Sequence, residues 1–262
     1  MDKTFEHKQD TDKGLECNSH MSKIFRYELR RALLNKLYIC LLIINGIYAW
    51  FVLSTQIVIG AAFTAPFSTW SFGAFLAGVM PMAILTTLFL LSIYYSKNAK
   101  QAEALTSATP VDTAMYTLIK NAAVTLGFLL ICVIAIILCV IFYGTVFNYW
   151  HFARFILPAI VIIVPGFVFF MGLGRWLGGI RPWLLYVLIP VSLGLTSIRM
   201  PGVLDFFGTE YFNNYPLGLP VGTDGEPAFV FSAMFLLVRV LYLVAGGILW
   251  AVSLQPPARE GS

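Results

Sequence analysis

Few side chains in this 262-residue chain stand at the spacing that chemistry demands. The three histidines, His7, His20 and His151, are scattered, and no set of His, Cys, Asp and Glu has metal-ligand spacing. The cysteines Cys17, Cys40, Cys132 and Cys139 form no C-x-x-C pair, and three of them fall in or near apolar runs, where they read as small buried hydrophobes. There is no Gly-Lys dipeptide, so the chain lacks the G-x-x-x-x-G-K-[ST] loop that cradles nucleotide phosphates. Neither a nucleophile elbow nor an intramembrane catalytic dyad is visible. Enzyme activity, catalytic residues and a resident cofactor are therefore not expected. The side chain that stands out is Arg239, an ionisable group well inside an apolar run. Such a group costs roughly 2.5 to 3.5 kcal/mol at mid-span, and no Asp or Glu lies in any span to pair with it. Its partner is expected elsewhere: an acidic residue of an outer loop, free backbone carbonyls, a second subunit, or an anionic substrate group.

The elements that must position these residues are membrane spans. Between Lys36 and Lys97 there is no charged residue. As one helix that run would be about 90 Å long, three times a hydrocarbon core, so it must cross and return. The whole chain is 59% hydrophobic and 11% charged with a mean hydropathy of +0.81, a balance no soluble core of this size could bury. The fold class expected is an all-α integral membrane protein. Six transmembrane helices are expected at about 37–59, 72–95, 118–143, 155–173, 183–198 and 229–254. The fifth is short and holds Pro190, which allows a tilted or broken helix. Residues 1–20 are polar and lack a signal-peptide core, so they read as a disordered tail, or as chain upstream of a true start at Met21. Residues 255–262 form a C-terminal tail.

Lys and Arg set the orientation. With both termini in the cytoplasm, 14 of the 17 basic residues fall on cytoplasmic flanks, while Asp205, Glu210, Asp224 and Glu226 fall in the last outer loop. The net charge of +4 lies beside the spans and in no aromatic-interleaved patch, so it bears on the lipid bilayer and makes no case for nucleic acid.

Two cytoplasmic segments carry mechanism. In Ser22 to Lys36, Ile24, Phe25, Leu29, Ala32 and Leu33 cover one half of a helical wheel and Lys23, Arg26, Arg30 and Arg31 the other, with Glu28 and Leu34 as exceptions. That is the pattern of a helix lying in the interface, basic face toward anionic headgroups. The loop Ser96 to Thr117 is the longest polar stretch between spans. Thr109 can cap, Pro110 suits a first helical position and Asp112 can reach back, so a helix is expected from Pro110 into the third span.

An FRYELRR helix before the first span, six spans, and an EALTSATPVD segment leading through Lys120 into the third together resemble the permease subunit of type-2 ABC exporters. The resemblance covers roughly Met21 to Leu254, and rests on the E-x-L-x-S-x-x-P-V run and the topology. It implies an interfacial elbow role for Phe25, Arg26, Glu28 and Arg30, and coupling to an ATPase through Glu103, Leu105, Pro110 and Val111. It also implies two permease subunits, as homo- or heterodimer, bound to ABC ATPase subunits on separate chains that hold the ATP and magnesium. The setting implied is a bacterial cell membrane, and the activity is export of a peptide, drug or lipid-like substrate. A transporter or channel that needs no ATP, and an immunity or sensor subunit without transport, remain alternatives.

Two further features concern packing. The loop from Met200 to Pro227 is long and rich in Phe and Tyr, so part of it is expected either to dip back into the outer interface or to pack on itself. Ala74 with Gly78, and Gly174 with Gly178, have the spacing that lets helices approach closely, although the second pair could equally be turn.

Overall fold

The computed structural model describes residues 23–96, 113–196, 198, 202–222 and 225–254. Glu103, Leu105, Pro110 and Val111, like the terminal segments 1–20 and 255–262, lie outside the described residues. The helices are α1 (23–33), α2 (Lys36–Thr55), α3 (Thr69–Tyr94), α4 (Thr113–Phe147), α5 (Ile156–Ile180), α6 (Trp183–Gly194), α7 (Thr209–Asn214) and α8 (Ala233–Leu254). No strand occurs among the described residues.

The charge-free run folds as two helices because polar side chains cap them. Asn35 accepts from the Leu37 amide at 3.0 Å and starts α2; Ser68 accepts from Ser71 at 3.0 Å and starts α3. Between them Gly60 adopts φ +84, and a Cβ there would lie 1.9 Å from the Thr64 carbonyl oxygen, so the turn requires glycine. The Asn35 cap also ends α1, which stops at residue 33 and does not run on to Lys36.

Five helices are long and apolar enough to cross a membrane, over Lys36–Ile59, Thr69–Tyr94, Met115–Phe147, Phe152–Ile180 and Ala233–Leu254. This is a multi-pass membrane protein. The expected fifth span, 183–198, is shorter than the pattern suggests. α6 has 12 residues, about 18 Å, against a hydrocarbon core of about 30 Å. It ends where Leu195 and Thr196 turn back on the carbonyls of Val191 and Leu193. α3 begins earlier than expected, at Thr69, α4 covers 35 residues, and α5 continues through Gly174 and Gly178, which are helical and not turn, whereas α8 begins later than expected, at Ala233.

α3 is the centre of the bundle, with 83% of its span window buried, and it touches α2, α4, α5, α6 and α7. α8 is only 22% buried by the same measure. It lies along α5, where Gly172 and Gly246 bring the backbones together: a Cβ on Gly172 would fall 2.1 Å from the Gly246 carbonyl oxygen. The outer faces of α2, α4 and α8 are apolar, with Ile43, Ile47, Ile137, Leu237, Leu241 and Ile248 exposed, as helices that meet hydrocarbon must be.

Candidate functional site

Among the described residues the buried charged side chains form two clusters, one around Glu28, Lys120 and Arg175 and one around Asp205 and Arg239. At the end carrying Lys36, Lys120 and Arg175, five elements converge. α1 contributes Glu28, buried at 2% exposure, which accepts from the Tyr116 hydroxyl of α4 at 3.1 Å and sits 3.7 Å from Arg31. One turn along α4, the Lys120 ammonium lies 4.2 Å from the centre of the Tyr116 ring, a cation–π distance. Arg175 of α5 donates to the Asn121 side-chain oxygen of α4 and, through Nε, to Ser253 of α8 at 3.2 Å. Tyr95 completes the ring by donating to the Arg175 carbonyl at 3.2 Å. A cavity of about 160 Å³ lies among Tyr94, Tyr95, Lys120, Asn121, Arg175 and Gly178.

Read from sequence, Lys120 and Arg175 count only as flanking charges, yet both are more than 90% buried. The available signal is spacing: Tyr116, Thr117, Lys120 and Asn121 recur at i and i+4, a polar face at the start of an otherwise apolar helix. Of the elbow residues, Arg26 and Arg30 are exposed and Phe25 is half-buried. Glu28, the exception on the wheel, turns inward to Tyr116.

The opposite end answers what faces Arg239. Its guanidinium donates to the carbonyl oxygens of Asp205, at 3.0 Å, and Phe206, and stacks 4.5 Å from the centre of the Phe235 ring. Its partners are thus loop carbonyls and an aromatic face. The Asp205 carboxylate turns the other way, accepting from Phe207 at 3.2 Å and Glu210 at 2.7 Å, which fixes the start of α7. α7 then buries Tyr211 and Phe212 against α3 and α8: Tyr211 stacks on Phe235 with centroids 3.8 Å apart, and the Phe212 ring occupies the space left by Gly73. The loop's far side is tied down where Glu226 accepts from the Ala65 amide at 2.8 Å and Trp70 donates to the Pro227 carbonyl at 3.2 Å. Its aromatic residues pack on the bundle and form a cap.

Beside the cap, a second cavity of about 360 Å³ is lined by Tyr48, Gln56, Met82, Leu193, Thr196 and Thr209. Hydroxyls, one amide and apolar groups suit an uncharged or amphiphilic solute. Among the described residues no group of three or more His, Cys, Asp and Glu could hold a metal ion. No protein-family model, curated protein or solved structure matches this chain.

Proposed function

We propose that this chain is the membrane-spanning permease subunit of an ABC exporter, driven by ATP hydrolysed on a separate ATPase chain. The observation that carries the reading is the continuity of α4 from the end of the 97–112 segment. It runs 35 residues, about 52 Å, and is tied in its first turns to α1 by the buried Glu28–Tyr116 hydrogen bond and to α5 by Asn121 and Arg175. A displacement of the preceding loop would therefore move several helices together. In this reading Glu103, Leu105, Pro110 and Val111 meet the ATPase, and α1 lies in the cytoplasmic interface with Phe25 toward lipid and Arg26 and Arg30 toward headgroups.

The same reading gives six crossings with both termini cytoplasmic, α6 and the turn after it together making the fifth. The α7 cap closes the outer end, and two permease chains, identical or not, share the assembly in a bacterial cell membrane. The exported substrate is a peptide, drug or lipid-like molecule, for which the uncharged 360 Å³ cavity has suitable walls.

The test is gentle-detergent purification of the tagged chain with whatever remains bound, followed by ATPase assays. A stoichiometric subunit with a phosphate loop, whose hydrolysis loses its link to transport when Glu103 and Leu105 are both changed to Ala, supports the exporter. A chain that comes alone from several mild detergents would favour the ATP-independent channel or the immunity-type subunit.

A further inference from the structure

We infer that the apolar cavity between α3, α4 and the start of α5 holds an acyl chain of one anionic phospholipid, whose phosphate is bound by Arg154. The inference stands independently of the exporter reading.

Local structure builds the cavity. Just past α4, Asn148 takes φ +52, and the Tyr149 amide returns to the Tyr143 carbonyl at 3.1 Å, which folds the chain back on the helix it has left. The 3₁₀ turn Phe152–Phe155 then lies against the bundle, with the Phe155 ring stacked on Phe72 of α3 at 4.3 Å and edge-on to Tyr143 of α4 at 5.9 Å. These two phenylalanines, Ile136 and Val140 of α4, and Ala153 and Ala159 line a cavity of about 340 Å³, and no side chain lining it bears a nitrogen or oxygen. Water needs two to four polar partners to settle in such a space, so the guest these walls accept is apolar.

Depth makes that guest a lipid tail. Val140 and Ile136 lie 7 and 11 residues before the end of α4 at Phe147, about 10 and 16 Å along the helix. Half of a hydrocarbon core is about 15 Å, so the cavity occupies the leaflet at the cap end of the bundle. Tyr149 and the exposed Trp150 flank the turn above it, at the level where amphipathic rings meet headgroups.

Charge gives the head. Arg154 stands between the lining residues Ala153 and Phe155, and its side chain is exposed. Among the described residues no carboxylate pairs with it, the ion pair found being Arg31 with Glu28 at the far end. The described acids of its own end are engaged elsewhere: Asp205 with the Phe207 and Glu210 amides, Glu226 with the Ala65 amide, and Glu210 with Asn214. A guanidinium fork matches two phosphate oxygens. A soluble phosphate would leave the cavity empty, a neutral hydrocarbon would leave Arg154 unpaired, and an anionic phospholipid answers both.

The experiment takes the full chain in detergent and titrates it with phosphatidylglycerol or with phosphatidylcholine of the same acyl chains. The thermal-unfolding midpoint is followed, and native mass spectrometry counts the lipid retained per chain. Saturable stabilisation by phosphatidylglycerol, with one molecule retained and a half-point below that of phosphatidylcholine, is expected. Arg154→Gln should raise the phosphatidylglycerol half-point about tenfold, as for losing a hydrogen bond to a charged group, and abolish the preference between the two lipids. Ala159→Phe and Ala153→Leu put bulk into the cavity and should weaken both lipids. Ala153 is on an exposed turn, so its variant is expected to fold normally even if Ala159→Phe does not. No saturable response, equal response to the two lipids in the unmodified chain, or a phosphatidylglycerol response that survives both cavity-filling variants would overturn the inference.

Discussion

Arg239 and Asp205 are bound backbone to side chain across 34 residues: the guanidinium donates to the Asp205 carbonyl at 3.0 Å, while the Asp205 carboxylate accepts the amide of Glu210 at 2.7 Å. One loop residue is therefore held from α8 and in turn holds the start of α7. The charge buried in α8 is a clamp on the cap.

Removing that clamp leaves the Asp205 and Phe206 carbonyls without their donor in a buried setting, at about 1–3 kcal/mol. Arg239→Leu is expected to lower the thermal midpoint in detergent and to shift Trp70 fluorescence, because Trp70 packs on Tyr211 and Phe212 of the cap. Arg239→Lys should recover less than half of the loss, since one ammonium on a flexible stem does not reproduce the planar fork. An unchanged midpoint in Arg239→Leu would remove the clamp.

The seat of Phe212 makes a size prediction. A Cβ on Gly73 would lie 2.2 Å from the Phe212 ring, so Gly73→Val must expel the ring or displace α7. The cost expected is about 1–3 kcal/mol, the range for overpacking. Pairing it with Phe212→Ala should return part of that stability, although Phe212→Ala alone is destabilising. Purely additive losses in the double variant would show that the two sites do not share space.

Much of this was legible in the sequence, and the limits have physical causes. The charge-free run and its caps are local signals, so the first two spans are readable to within a few residues at each boundary. The short α6 is less readable, because hydropathy windows average over the turn at Leu195 and Thr196 and cannot see where a helix stops. Arg239 announces itself as an anomaly, but its partners are carbonyls, which every residue has and no pattern marks. Lys120 and Arg175 look like flanking charges in the sequence because composition places a charge along the chain and not in depth. Their burial comes from the convergence of α1, α3, α4, α5 and α8, which only the tertiary fold provides.

The contact between Glu28 and Tyr116 is open to a double-mutant cycle. Tyr116→Phe and Glu28→Gln each weaken a buried hydrogen bond of 3.1 Å that joins α1 to α4. Residues in one network couple by about 0.5–3 kcal/mol, and a coupling in that range is expected from the unfolding midpoints of the two single variants and the double. A coupling of zero would mean that α1 rests on α4 through apolar contacts alone, and the mechanical link drawn between them would fail.

The α5–α8 contact yields the sharpest stability test, because ordinary helix propensity predicts the opposite result. Exchanging a helical glycine for alanine normally gains about 1 kcal/mol. At Gly246 the new Cβ would stand 2.5 Å from the Phe169 Cα and 2.6 Å from the Val168 carbonyl oxygen, both backbone atoms that cannot rotate away. The two helices would have to separate along the face that holds α8 to the bundle, so Gly246→Ala is expected to destabilise by about 1–3 kcal/mol. Gly247, the next residue, has nothing within 4 Å of its own added Cβ. Gly247→Ala should therefore be neutral or slightly stabilising by the same unfolding assay. Two adjacent glycines with opposite signs locate the close approach at one residue, and equal effects would show that the helices do not pack on the Gly172–Gly246 face.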